Sequence, residues 1–321
     1  MRRARAFSLT MRSGRALVQD ERRGPAYRLL GGVDPATLGI GLALAAYSLL
    51  AFQDATVKYL VATVPVWQVL FVRSTILVAG CLAAGGRPLL GRVAASPTLP
   101  LLLRRGAITL AAWFCYFTAA RALPLGQLTT LYFTAPVVVA LLAAPLLGER
   151  VGAARWAAVG IGFAGATFAA DPTGLTLSWA TVLVLAAAVL WGYGVILTRQ
   201  IARREPSLVQ MFCNNCFFLV ITGIGSALTW HTPTSAELLL LVQVAILGGA
   251  GQFALFESAR HVPASLTAPL EYTALVWAFL LGFLVWGDVP EPHVYIGAGL
   301  ILSAGLGLLL IERTRRNRTP T

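Results

Sequence analysis

The sequence is poor in charged residues, because Asp, Glu, Lys and Arg make up only 12% of its 321 positions. A water-soluble globular domain carries about 25% charged residues, so this composition excludes that class of protein. Lysine occurs once, as Lys58, and the other basic residues are all arginine.

Histidine and cysteine are also scarce, with three and four copies. Cys213 and Cys216 form a lone C-x-x-C motif. It lacks the second pair, or the histidines, that complete the four ligands of a structural zinc site. We interpret both cysteines as small packing residues, and we expect neither a metal nor a cofactor.

The common enzyme fingerprints are missing from the sequence. It contains no Walker motif, no H-E-x-x-H, no G-x-S-x-G and no glycine-rich dinucleotide-binding motif. We therefore expect no enzymatic activity and no primary energy source.

Apolar residues dominate instead, at 57% of the chain with a mean hydropathy of +0.75. About 20 apolar residues are needed to cross a bilayer as a helix, and only helices satisfy their own backbone there. The sequence predicts an all-α membrane protein with ten transmembrane helices, near 37–62, 66–84, 100–121, 126–147, 153–170, 177–198, 206–229, 236–258, 264–286 and 293–311.

Basic residues collect on one side of this predicted topology. With a cytoplasmic N-terminus, 22 of the 25 Lys and Arg residues fall in cytoplasmic loops and tails. The positive-inside rule then predicts a multi-pass protein of the bacterial inner membrane with both termini cytoplasmic. The basic tails, residues 1–35 and 313–321, carry no nucleic-acid-reading module, so no nucleic-acid partner is expected. Met1 and Met11 both remain open as the start.

One stretch of the sequence occurs twice. Residues 114–149 and 253–288 align without a gap at an offset of 139, with 12 of 36 positions identical. The repeat units are predicted to span 36–171 and 176–312, with five helices each. Five is an odd number, so the second unit enters the membrane from the opposite side. The repeats are therefore predicted to be inverted, an arrangement that supports alternating access.

Several motifs are similar to those of ten-helix EamA-type permeases of the drug/metabolite transporter superfamily. The similarity covers nearly all of 36–312 and is carried by Ala-Phe-Gln-Asp-Ala-Thr-Val-Lys (51–58), Arg73, Phe-Thr-Ala-Pro (133–136), Leu-Gly-Glu-Arg (147–150) and the Gly-rich stretch 156–166. The chain departs from the pattern at Trp-Gly-Asp (286–288), at Leu275 in the position matching Pro136, and in its long N-tail. The resemblance implies a carrier of metabolites or drugs.

Ionisable residues inside the predicted helices are the first candidates for function, because they are costly at membrane depth unless they are paired or hydrated. Glu271 is the strongest candidate, since it follows Pro269 and replaces Tyr132 of the first repeat. Asp54 and Lys58 share one helical face, which fits either a structural ion pair or a contact with substrate. For Glu257 a structural pair with Arg260 is the alternative. The full set predicted to bind substrate or a coupling ion is Glu271, Asp54, Lys58, Arg73, Glu257, Tyr116, Tyr132, Trp191, Asn214 and Gln252.

Two acidic residues and two prolines are predicted to act in gating. Glu149 and Asp288 follow a glycine at matching helix ends, where a carboxylate opposes the helix dipole and needs an arginine or backbone donor. Pro136 and Pro269 remove a backbone donor and can open a helix. The predicted gating residues are Glu149, Asp288, Pro136 and Pro269.

The predicted function is that of a secondary transporter for a small organic metabolite, and the resemblance favours export of amino-acid-like, metabolite or drug-like solutes. Uptake of a nucleotide-like or flavin-like planar molecule is the alternative. A channel or a non-transporting membrane component is the alternative of another class. The expected partners are the solute, a proton or other coupling ion, and membrane lipid; a homodimer stays open.

Overall fold

The computed structural model describes residues 34–123, 128, 131–149, 151–169 and 178–287, and residues 295–311 with gaps. All regular secondary structure in these residues is helical. The basic tails, the predicted repeat boundary near 171–176 and Asp288 lie outside the described residues.

The helices follow the predicted order of spans. They are α1 (Pro35–Leu60), α2 (Val66–Ala94), α3 (Leu99–Ala119), α4 (Ala135–Leu147), α5 (Ala153–Ala169), α6 (Trp179–Ala202), α7 (Ser207–Leu228), α8 (Ser235–His261), the short α9 (Ala264–Thr267), a 3₁₀ helix η1 (Ala268–Tyr272) and α10 (Thr273–Trp286). Further helical residues lie between 295 and 311. Within the described chain, six helices are long and apolar enough to cross a membrane.

Local sequence accounts for where several helices begin. The Asp34 side chain accepts a hydrogen bond from the Thr37 N–H at 3.3 Å and caps α1, with Pro35 in the first turn. Thr234 and Glu237 form a reciprocal capping box at the start of α8. Helix α2 runs past its expected end at 84, because a kink at Gly86 (φ 52°) joins a second helical stretch to it.

Two predicted spans are broken, which corrects the expectation of continuous helices at 126–147 and 264–286. Helix α4 begins only at Ala135, after a turn at residues 133–134. The span that begins at Ala264 passes through η1 before α10 continues it. Pro136 lies in the first turn of α4, directly after the first break, and Pro269 lies within η1. Proline cannot donate to the preceding turn of an α-helix. Both breaks occur at matching positions of the repeat.

The helix packing repeats itself about a pseudo-twofold axis. Helix α1 packs on α8 as α6 packs on α3, and α10 packs on α1 as α4 packs on α6. Helices α2 and α7, which are equivalent, pack on each other. This exchange of partners is what two inverted five-helix repeats produce, and it confirms the predicted fold class.

Side-chain contacts follow the same symmetry. Lys58 donates to the carbonyl of Ala120 at 3.4 Å, beyond the end of α3. Arg199 donates to the carbonyl of Ala259, which lies 139 residues after Ala120. A cation at a helix C-terminus interacts favourably with the helix dipole. Both repeats therefore use one basic side chain for the same purpose.

The surface of the bundle is apolar, as a protein in lipid requires. Leu228 is 82% exposed and Leu239 is 72% exposed, in the middle of a set of exposed Leu, Ile, Val, Phe and Trp side chains. In water such a surface would promote aggregation, but against lipid tails it carries no penalty.

The packing of α5 on η1 predicts a specific effect of a small substitution. A Cβ at Gly162 would overlap the ring of Tyr272, whereas a Cβ at Gly160, on the same helix, would meet nothing within 4 Å. We expect Gly162→Ala to destabilise the fold by about 1–3 kcal/mol through overpacking. Gly160→Ala should leave stability unchanged or raise it slightly. Thermal unfolding in detergent measures both; equal midpoints for the two variants would contradict this packing.

Candidate substrate cavity and its ion network

A cavity lies between the two repeats, with an empty volume of about 810 Å³ that includes the open space at its mouth. Its walls come from α1, α3, α6 and the two broken spans. The lining residues are Tyr47, Leu50, Ala51, Gln53, Asp54, Ala55, Ala112, Trp113, Tyr116, Phe117, Tyr132, Phe133, Trp191, Glu271, Ala274 and Ala278. Five of the residues singled out from sequence, Asp54, Tyr116, Tyr132, Trp191 and Glu271, are brought together here.

The cavity is built at the pseudo-twofold axis. Phe133 and Tyr272 are equivalent positions of the repeat, and their rings lie 5.4 Å apart between centroids. The Tyr272 hydroxyl donates to the carbonyls of Phe133 (3.5 Å) and Val159 (3.2 Å). Tyr132 and Glu271, the preceding equivalent pair, both line the cavity. At the point where the two repeats meet, the first repeat therefore contributes a phenol and the second a carboxyl group.

Glu271 is held by η1 and is only 2% exposed. Among the described residues it takes part in no ion pair, and its Oε2 atom has no hydrogen-bond partner. The Trp191 indole and the Tyr132 hydroxyl lie beside the carboxylate. A buried carboxylate without an ion-pair partner is rare and costly, so Glu271 stays the first candidate for a functional role.

Two further polar atoms of the cavity lack a hydrogen-bond partner in the described chain: the Tyr47 hydroxyl and the indole nitrogen Nε1 of Trp191. Both can donate a hydrogen bond. Tyr47 was missed from sequence, although it precedes Asp54 by seven residues and so lies on the same face of α1. That spacing was the signal that would have found it.

Asp54 is connected to Arg73 through an amide. Nε2 of Gln53 donates to Asp54 Oδ1 at 3.0 Å, and Gln53 Oε1 accepts from Nε of Arg73 at 3.0 Å. Gln53 was also missed as a functional candidate, although it lies within the 51–58 motif. The guanidinium thus supports the Asp54 carboxylate through Gln53, from behind the cavity wall.

The partners of Arg73 differ from those expected. Nη1 donates to Asn215 Oδ1 and Nη2 to Gln252 Oε1, each at 3.3 Å, and the guanidinium lies 4.5 Å from the centroid of the Trp113 ring. The expected carboxylate partner, Asp54 or an acid of the second repeat, is replaced by neutral amides. Arg73 therefore joins α1, α2, α7 and α8, and the dipoles of the three amide groups stabilise its positive charge.

Asn214 contacts a second buried arginine, Arg105, which the count of cytoplasmic basic residues assigned to the loop 85–105, at the edge of the predicted span 100–121. Arg105 lies within α3, is 3% exposed, and donates to Thr198 Oγ1 at 2.7 Å and to Asn214 Oδ1 at 3.3 Å. Its guanidinium also lies 4.2 Å from the centroid of the Phe256 ring. The adjacent Arg104 is exposed, so the pair of arginines was wrongly read as one solvated cluster.

Lys58 and Glu257 do not line the cavity either, as Arg73, Asn214 and Gln252 do not. Lys58 donates to the carbonyls of Ala120 and Leu123 beyond the end of α3. Glu257 accepts from Ser207 Oγ at 2.6 Å and lies within 3.7 Å of the Arg260 Nε and 3.4 Å of the His261 Nε2. The structural alternative considered for Glu257 accounts for these contacts.

Glu149 has both kinds of partner that its position at a helix end required. Its carboxylate accepts from the backbone N–H of Ala264 and of Ser265, each at 3.2 Å, and from the Ser265 hydroxyl at 2.9 Å. Arg199 Nε lies 3.7 Å from Glu149 Oε1. The end of α4 thereby caps the start of α9. We call this set, Glu149, Arg199, Ala264 and Ser265, the α4–α9 contact.

Known proteins resemble this chain over most of its length. The family described as the EamA-like transporter family matches residues 37–170 and again 178–311. A riboflavin transporter of Rhizobium johnstonii is 32% identical over 200 residues, which cover 62% of this chain and 66% of the relative. The pseudopaline exporter CntI of Pseudomonas aeruginosa is 28% identical over 286 residues, covering 87% of this chain and 97% of the exporter.

Two more matches support the same fold. An S-adenosylmethionine uptake transporter of Rickettsia prowazekii is 25% identical over 193 residues, covering 59% of this chain and 65% of that protein. A solved crystal structure superposes with a TM-score of 0.70 at 25% identity, covering 87% of this chain and 98% of the other. Relatives of this fold carry names with quite different solutes.

The Arg73 network predicts that lysine cannot replace arginine there. Three nitrogen atoms of the guanidinium reach oxygens on three different helices, and a lysine ammonium offers its donors at a single point. We expect Arg73→Lys to leave buried amide oxygens unpaired and to destabilise the protein by about 1–3 kcal/mol. Arg104→Lys, on the exposed face of α3, is the control and should unfold as the parent does. An unchanged midpoint of thermal unfolding for Arg73→Lys would count against the network.

Proposed function

Because the chain belongs to the EamA-like transporter family, we propose that it is a secondary transporter that carries a small organic solute by alternating access through the cavity between its repeats. By its family the protein is a multi-pass membrane transporter. Its membrane is the bacterial inner membrane, with both termini in the cytoplasm.

The observation that carries the proposal is the position of the cavity. It lies at the interface of inverted repeats and is lined by residues of two broken helices, which is where secondary transporters bind their solutes. Three of its buried polar atoms, on Tyr47, Trp191 and Glu271, have no partner in the described chain and are available to a ligand.

The proposed orientation in the membrane indicates on which side the transporter is closed in this structure. With cytoplasmic termini, the half of α1 that carries Gln53 and Asp54 faces the outside, and the α4–α9 contact lies at the cytoplasmic side. The contact joins the two repeats, since α4 belongs to the first and α9 to the second. This arrangement corresponds to a state closed towards the cytoplasm, and release of Glu149 from α9 opens the other side.

Export is the favoured direction. The relative aligned over nearly its whole length, 97%, is named as an exporter. Uptake of a planar molecule is the second candidate, favoured by the aromatic walls of the cavity and by relatives named as a riboflavin transporter and an S-adenosylmethionine uptake transporter. Asp54 and Glu271 provide carboxyl groups that can exchange protons with the solute, which couples transport to the proton gradient.

A channel is separated from a carrier by counterflow in proteoliposomes. The solute is first identified by comparing metabolites of deletion and overexpression strains. Saturable exchange of labelled against unlabelled solute supports the carrier, whereas flux that rises linearly with concentration contradicts it. Recovery of a chemically altered solute would show an enzyme instead.

Glu271→Gln tests the central residue. The amide keeps the shape but removes the charge, and loss of a charge-assisted hydrogen bond of about 1.5–3 kcal/mol lowers solute exchange by about ten- to hundredfold. Glu271→Asp should retain part of the exchange. Glu237→Gln, in the capping box at the start of α8 and away from the cavity, is the control that keeps normal exchange. Normal flux through Glu271→Gln at every pH would refute the site assignment.

Glu149→Ala tests the α4–α9 contact. Removing the carboxylate leaves two backbone donors of α9 and the Arg199 guanidinium without their acceptor, which weakens closure on the cytoplasmic side. In a variant without native cysteines, a cysteine at the buried Ala268 should react faster with a polar maleimide added from the cytoplasmic side. The matched control is Glu237→Ala. Equal labelling rates with and without Glu149 would remove its gating role.

A further inference from the structure

We propose that the cavity selects planar organic cations, with Glu271 as the group that recognises their charge; this inference rests on the transport function proposed above. It follows from the charges of the wall, from its aromatic rings and from the unpartnered polar atoms, which are three independent features.

The wall of the cavity carries charge of one sign only. Asp54 and Glu271 line it, and no Lys, Arg or His is among the described lining residues. Arg73 lies behind the wall and supports Asp54 through Gln53. Glu271 forms no ion pair with a described residue; Trp191 and Tyr132 are its neutral neighbours. A cation that enters the cavity is therefore the group that would stabilise its charged form.

Aromatic rings supply most of the remaining wall. They are Tyr47, Trp113, Tyr116, Phe117, Tyr132, Phe133 and Trp191. Several are locked to one another, with centroids of Tyr116 and Tyr132 at 4.9 Å and of Tyr116 and Phe117 at 5.6 Å. The face of an aromatic ring attracts cations and stacks on flat molecules, and it repels anions. A neutral planar solute would stack here but would leave Glu271 unpaired.

The unpartnered atoms define where hydrogen bonds to the solute form. Glu271 Oε2 can accept a hydrogen bond and the Tyr47 hydroxyl can donate one. The Trp191 indole N–H is already directed at the Glu271 carboxylate. A protonated nitrogen next to Glu271 satisfies Oε2 by a hydrogen bond and by charge, a quaternary nitrogen by charge alone, and an oxygen or ring nitrogen elsewhere on the same flat frame can accept from Tyr47.

An anionic solute is disfavoured by the state of the buried arginines. All three nitrogens of the Arg73 guanidinium donate to side chains, namely Gln53, Asn215 and Gln252. Arg105 is engaged by Thr198 and Asn214 and does not line the cavity. Neither guanidinium is presented to a ligand in this arrangement.

The test uses planar bicyclic probes of similar size that differ in charge. Purified protein in detergent is titrated by calorimetry at a pH of about 7.5. The three probes are N-methylquinolinium (a cation), isoquinoline (uncharged at this pH) and 2-naphthoate (an anion). We expect the cation to bind at least about tenfold more tightly than the neutral probe, and the anion more weakly than both. Equal or tighter binding of the neutral or anionic probe, or no binding of the cation, would overturn the inference.

Glu271→Gln provides the second arm. The variant should bind the cation and the neutral probe with equal affinity, while its affinity for isoquinoline stays as in the parent. Glu237→Gln should keep the full cation preference. A cation preference that persists in Glu271→Gln contradicts the role of Glu271. If the variant does not fold, the comparison of the three probes on the parent protein still decides the charge class.

The outcome is separable from that of the transport proposal. Cation binding in detergent without any counterflow in proteoliposomes would keep the selectivity and refute the carrier. Saturable counterflow of a neutral or anionic solute, together with no cation preference in titration, would keep the carrier and refute the selectivity.

Discussion

Inside hydrocarbon a protein must satisfy its own polar groups, because no water is available to do so. The structure depends on this constraint most clearly at its two broken spans. Pro136 and Pro269 free backbone groups at membrane depth, and such groups are tolerated only where protein or a cavity surrounds them. Both breaks lie at the pseudo-twofold axis, so both adjoin the same cavity.

The same constraint divides the buried charges into two kinds. Arg73 and Arg105 are surrounded by amides, a hydroxyl and aromatic rings, and these contacts join six helices, α1, α2, α3, α6, α7 and α8. Glu271 has no ion-pair partner among the described residues, and its Oε2 atom has no hydrogen-bond partner. The two arginines thus stabilise the scaffold, whereas Glu271 is the charge that the proposed solute would complete. The difference lies in their partners, not in their depth.

Much of the architecture was predictable, because helices in lipid are long and uniformly apolar and a duplicated sequence keeps its spacing. The order of spans, the repeat and its inversion, and the family all follow from such patterns. Partners of buried charges did not follow, since they depend on which helices meet. Arg105, next to the exposed Arg104, was assigned to a solvated loop. Gln53 was not predicted to have a role, because it is uncharged. Pro136 indicated that the fourth span can open, but the extent of the break before α4 did not follow from the sequence, because apolar residues continue through it.

The contact between Phe133 and Tyr272 has a mechanical consequence. A point on a twofold axis maps onto itself, so it stays in place when the two halves exchange their shapes. In the proposed exchange, this ring pair is the pivot, and the largest displacements occur at the two ends of the helix bundle. Glu271 directly precedes Tyr272 and lies beside this ring pair. In the alternating access proposed above, Glu271 would face either compartment after a small rotation, and the solute would change sides with little displacement.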